Sequence, residues 1–175
     1  MRKLFFLSLI LLFTTTAYAQ IEKLKDLGIE FYLPTNTWKK GEANNTNSLI
    51  IYKYKRQAIV DAKGRGVIAN LSFIAENVPD TLSVVNYTMQ KRIQKPFEVM
   101  EVLSASGMNP KLKHNNAIGY KSNYTDSKSI PHTLYIVHLI EKQKGIQVIM
   151  DITTELLPKV EPEFLKIVGS IKSNG

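Results

Sequence analysis

Residues 134–140 (LYIVHLI) constrain this chain more than any other stretch. Read with the two-residue period of a strand, they put Leu134, Ile136 and Ile140 on one face and Tyr135, Val137 and Leu139 on the other. A strand that is apolar on both faces has to be covered on both. Residues 117–124 and 146–153 read as its neighbours, the latter with Ile146, Val148, Met150 and Ile152 in phase. The polar turns between them are short, so the three strands should pair as an antiparallel meander.

Strand signals also dominate upstream. Ile29, Phe31 and Leu33 alternate with Glu30 and Tyr32 until Pro34 ends the run. Residues 49–54 form a second strand. Residues 67–75 form a third, with Val67, Ala69, Leu71, Phe73 and Ala75 on one face. Residues 39–48 (KKGEANNTNS) read as a loop, and residues 97–103 as a further strand that ends in a turn around Ser106 and Gly107.

Two helices are expected. The first is capped by Asp80, turns the stripe Leu82, Val85, Met89 and Ile93 towards the sheet, and stops at Pro96. The second opens with Pro162 in its first turn, carries Phe164, Leu165, Val168 and Ile171, and ends by Lys172. The predicted fold class is α+β, an antiparallel sheet flanked by a helix on each side.

Residues 1–19 read as a secretory signal peptide. Arg2 and Lys3 precede a ten-residue apolar run, and Ala17-Tyr18-Ala19 forms a small-x-small cleavage site before Gln20. The run is too short for a spanning helix, which needs about 20 residues, so no stable membrane span is expected after cleavage. The expected product is one exported domain, residues 20–175, periplasmic or secreted. The chain has no cysteine, which excludes disulfides, thiol nucleophiles, cysteine-ligated metals and lipid attachment at the cleavage point.

Removing Arg2 and Lys3 takes the formal charge from +8 to +6. Such a balance serves solubility as readily as anion binding. No run exceeds two consecutive basic residues, and with the export signal this argues against nucleic acid.

Motifs for catalysis are absent. No Gly-x-Ser-x-Gly elbow, phosphate loop or calcium loop occurs. His138 reads as a core or sheet-face residue, His114 and His132 as solvated loop residues, and the three have no metal-ligand spacing. Glu161 and Glu163 suit the positive end of the last helix. No cofactor is implied. The candidate partner surface is Trp38, Lys39, Lys40, Arg56, Lys63 and Arg65, a basic rim with an aromatic anchor, to which Lys53 and Lys55 contribute if the loops adjoin.

The opening Gly28-Ile29-Glu30-Phe31-Tyr32-Leu33-Pro34, followed by Trp38, resembles the start of PsbP-like domains. The ending Glu163-Phe164-Leu165-Lys166-Ile167-Val168-Gly169-Ser170-Ile171 resembles their last helix. The resemblance spans about residues 27–172. It implies an antiparallel sheet between helices and a binding or assembly role, and it transfers no functional residues.

The sequence therefore reads as an exported, non-catalytic binding or assembly protein of the cell envelope, its partner an envelope protein or other envelope component. Two alternatives stand beside this: a carrier with an apolar pocket between sheet and helix, and a hydrolase whose site assembles from scattered loop residues.

Overall fold

The structure, a computed structural model, describes residues 20–46, 48–95, 97–104 and 111–174. The expected signal peptide, Pro96 and the turn around Ser106 and Gly107 lie outside the described residues. In chain order the strands are β1 (Gln20–Leu24), β2 (Ile29–Leu33), β3 (Trp38–Lys40), β4 (Asn44–Asn45), β5 (Leu49–Arg56), β6 (Ile59–Val60), β7 (Gly66–Val67), β8 (Asn70–Asn77), β9 (Glu98–Ser104), β10 (Ala117–Thr125), β11 (Pro131–Glu141), β12 (Lys144–Thr153) and β13 (Lys172–Ser173). Helix α1 (Val84–Gln94) lies between β8 and β9, and α2 (Leu157–Val168) between β12 and β13.

Among the described residues, one antiparallel sheet runs β3-β5-β8-β12-β11-β10-β9, with β4 also on β5. The meander β10-β11-β12 is as expected, and β11 sits centrally. A second small sheet, β1-β2-β13, packs with α2 over one face of the large one. There Phe31 stacks 4.6 Å from Phe73 and meets Tyr54 edge-on, while Phe164 of α2 meets Tyr135 edge-on. Helix α1 packs on the opposite face, over β10 and β11, where Tyr87 lies edge-on to His138. Residues 135 and 138 point to opposite sides of one strand, so the two helices flank the sheet.

Three local expectations are corrected. The α1 cap is Ser83, whose hydroxyl accepts from the Asn86 N–H at 3.2 Å; Asp80 sits in a turn closed by the Leu82 N–H on the Pro79 carbonyl. The stripe Val85, Met89 and Ile93 faces solvent at 52%, 57% and 78% exposure, and the helix buries Tyr87 and Thr88 instead. Tyr87 sets that rotation, because its ring packs on His138 while its hydroxyl donates to Glu76 Oε1 at 2.9 Å. Helix α2 begins at Leu157, so Pro158 occupies its first turn and Pro162 its interior. Burial of Leu157 and Val160 in that extra turn offsets the hydrogen bond that Pro162 cannot make.

Residues 39–48 are less irregular than the loop expected there. Trp38–Lys40 pairs with β5, and Asn44 and Asn45 pair with Ile51 and Ile50.

Candidate functional site

The two faces of the large sheet are not equally covered. A helix is about 10–12 Å across, and neighbouring strands lie about 4.8 Å apart. Helix α1 reaches one end of β12 and β8, where Tyr87 lies on Gly145 and bonds Glu76, and among the described residues the other end of β12, β8 and β5 stays open on that side.

The strand registers determine what is exposed there. One row across the sheet is Lys53, Ser72, Ile149, Ile136 and Tyr120; the next is Lys55, Asn70, Asp151, Leu134 and Ser122. The first row runs from cationic, through small polar, to apolar, whereas the second sets the Asp151 carboxylate between Asn70 and Leu134. Lys95 and Phe97, just beyond the end of α1, close the far side of a groove of about 500 Å³. Leu134 and Ile136 form its buried floor, with Ile149, Phe97 and Tyr124 half-buried around them. Lys53, Lys55 and Lys95 are exposed on the rim, and none of their ammonium groups has a carboxylate partner among the described residues.

Two further hollows adjoin the groove at Phe97. A pocket of about 100 Å³ beneath α1 is walled by His138 and Gln147. His138 is 1% exposed and its Nδ1 has no hydrogen-bond partner among the described residues. Burial holds this histidine down to about 4, against a hydrogen bond with Gln147 that raises it, so the ring is neutral at pH 7. On the outer side of α1, Val85, Met89, Ile93 and Ile118 line an open apolar depression.

The other histidines are not solvated loop residues. His114 is buried, with Nε2 3.2 Å from Glu141 Oε2 and Nδ1 accepting from the Asn116 N–H. His132 lies on β11 at the end of the groove. Its Nδ1 is 2.8 Å from Asp151 Oδ1, its Nε2 is 3.8 Å from Asp126 Oδ2, and Tyr124 packs on its ring and donates to Asp151 Oδ2. A general base needs one imidazole nitrogen free to receive a proton. His114 has a protein partner on each nitrogen, and His132 spends Nδ1 on Asp151 of the neighbouring strand. Among the described residues no group of three acidic, histidine or cysteine side chains is arranged to hold a metal ion.

The six residues of the sequence-derived partner surface fall in three places. Trp38 is buried and its Nε1 donates to Glu163 Oε2 at 2.8 Å. Arg56 grips the same carboxylate with Nε at 3.0 Å and a terminal nitrogen at 2.9 Å. Lys40 pairs with Glu22 and lies over Tyr52 on that same side of the sheet. Lys39 pairs in register with Lys55 and so points to the open face. Lys63 and Arg65 belong to the β6-β7 hairpin, where Arg65 is held by Asp61 at 2.7 Å.

Lys53 and Lys55 were legible as basic, and their two-residue spacing puts them on one face. Lys95 carried no signal, because only the path of the chain after α1 brings it opposite them. The floor residues read as ordinary core.

No family model matches the sequence, and no curated protein matches it. Solved structures do share its fold. The Ran-binding protein Mog1p of Saccharomyces cerevisiae matches with a TM-score of 0.56 at 5% identity, covering 91% of this chain and 97% of that one. Cyanobacterial PsbP (CyanoP) of Synechocystis sp. matches at 0.52 and 13% identity, covering 91% and 95%. LpqN, involved in cell envelope biogenesis of Mycobacterium tuberculosis, matches at 0.52 and 11% identity, covering 90% and 91%. The chain thus has the α+β fold of these proteins, an antiparallel sheet with two helices. No helix among the described residues is long and apolar enough to cross a membrane.

Proposed function

We propose that this chain is an exported, non-catalytic binding protein of the cell envelope whose ligand sits in the groove beside α1. The observation that carries this reading is the groove itself: about 500 Å³, apolar at its base, with three unpaired lysines at its rim. Ligand sites of ~300–1,000 Å³ with an apolar lining and a few polar anchors are the common form. The groove favours the carrier version of a binding role. Export rests on the leader read in residues 1–19, and an envelope setting is supported by the role described for LpqN.

The test is a titration of the purified chain with N-phenyl-1-naphthylamine, a neutral apolar fluorophore. The reading predicts saturable enhancement at one site per chain. Ser72→Trp, which places a large ring between Lys53 and Ile149, should abolish it. Met89→Glu, on the outer face of α1, should leave it intact. Absence of saturable binding, or loss with Met89→Glu alone, contradicts the reading.

A further inference from the structure

We infer that the ligand is a single-chain amphiphile with an anionic head group, its head held by Lys53 and Lys55 and its hydrocarbon lying over Ile149, Ile136, Leu134 and Phe97. This inference rests on the groove being the binding site.

The argument is the order of side chains across the sheet. Along the row Lys53, Ser72, Ile149 and Ile136, polarity falls in one direction, from the lysine of β5 to the aliphatic residues of β12 and β11. A ligand charged at one end and apolar at the other matches that gradient. A uniformly polar or uniformly apolar ligand leaves half of it unmet. Lys53 and Lys55 stand two residues apart on one strand face, about 7 Å along it. Lys95 stands across the groove, beyond the apolar floor.

Among the described residues, the carboxylates nearby form no ion pair with Lys53 or Lys55. Asp151 is engaged by His132 and Tyr124, and Glu76 by Tyr87 and Lys91. Glu42 lines a depression shared with Lys53 and Lys55 but forms no ion pair with either. The last turn of α1 carries Lys91 and Arg92 and is followed by Lys95, which opposes the negative end of the helix dipole. Away from Lys53 the floor of the groove is Ile149, Ile136 and Leu134, which orients the chain with its tail inward.

The experiment displaces bound N-phenyl-1-naphthylamine with dodecanoate, dodecyl maltoside or dodecyltrimethylammonium, each below its micellar concentration. Dodecanoate is expected to compete about tenfold better than the other two, the scale that two exposed ion pairs supply at most. That advantage should shrink with added salt. In Lys53→Gln/Lys55→Gln it should fall to about twofold or less, while in Met89→Glu, outside the groove, it persists.

Equal competition by all three, with the fluorophore still bound, overturns the anionic amphiphile and leaves the binding role standing. No fluorophore binding overturns the binding role as well. A parallel arm with vesicles containing phosphatidylglycerol separates a free amphiphile from a membrane surface. Binding to vesicles without competition by monomeric dodecanoate overturns the inference.

Discussion

The ring of Tyr87 lies across Gly145 so closely that a β-carbon there would stand 2.6 Å from two of its carbons and 2.9 Å from a Val78 methyl. Gly145 is thus the seat that lets α1 settle with Tyr87 inward and its aliphatic stripe outward. Gly145→Ala should destabilise the protein by about 1–3 kcal/mol through overpacking. For a chain of this size that is about 2–4 °C in Tm per kcal/mol. Thermal denaturation checks it, and Tyr87→Leu in the same chain should recover part of the loss because the two sites are in contact.

A second prediction concerns the carboxylate of Glu163, which accepts from both Trp38 and Arg56 and so fastens β3 and β5 to α2. Glu163→Ala strands a buried indole N–H and leaves a guanidinium at 16% exposure without its partner. A loss of about 2–3 kcal/mol follows. Glu163→Gln, which keeps one acceptor, should lose about half of that. Urea denaturation of the two variants and of Arg56→Ala measures the coupling.

A third prediction follows from His138, whose folded value is held down to about 4 by burial against an ordinary 6.5. Between these values the unfolded chain takes up a proton that the folded chain does not. Stability is therefore full above about pH 6.5 and falls as the pH drops towards 4, by about 3 kcal/mol over the window. The low-lying carboxylates act later. Glu30 is held down by Lys172, Glu161 by Lys121, and Asp61 and Asp126 by the backbone N–H groups of Arg65 and Ile130. Their contributions are present above the ordinary carboxylate range and are lost below it. The slope between about pH 5 and 6.5 should accordingly flatten in His138→Leu, as read by unfolding free energy against pH.

A fourth concerns export. If residues 1–19 are removed on secretion, the intact mass and N-terminal sequence of protein recovered outside the cytoplasm should begin at Gln20. Ala19→Arg, which spoils the small-x-small site, should leave the longer form. Recovery of the full-length chain in the cytoplasm contradicts the export reading.

What the sequence revealed depended on how local the determinant was. Strands β8 and β12 were legible from their period of two, and β11 from a run apolar on both faces between short polar turns. The rotation of α1 was not. Its aliphatic residues at helical spacing formed the better stripe, yet Tyr87 won the inner side because Gly145 and His138, far along the chain, fit its ring. The start of α2 was misplaced because Pro158 and Pro162 are equally suited to a first turn, and only the burial of Leu157 and Val160 separates them. The groove was invisible for a different reason. Ile149 and Leu134 look like core in any sequence, and whether a helix covers them depends on where α1 lies on the sheet. Trp38 and Arg56 looked like a partner surface until Glu163, more than a hundred residues away, was found to hold both.

The most direct test of the account is an amide chemical-shift titration of the isotope-labelled protein with monomeric dodecanoate. The predicted result is a saturable set of shifts centred on Lys53, Lys55, Ser72, Ile149 and Phe97, with little change at Val85, Met89 or Arg65. Shifts centred on the outer face of α1 or on the β6-β7 hairpin, with the groove unmoved, would contradict it.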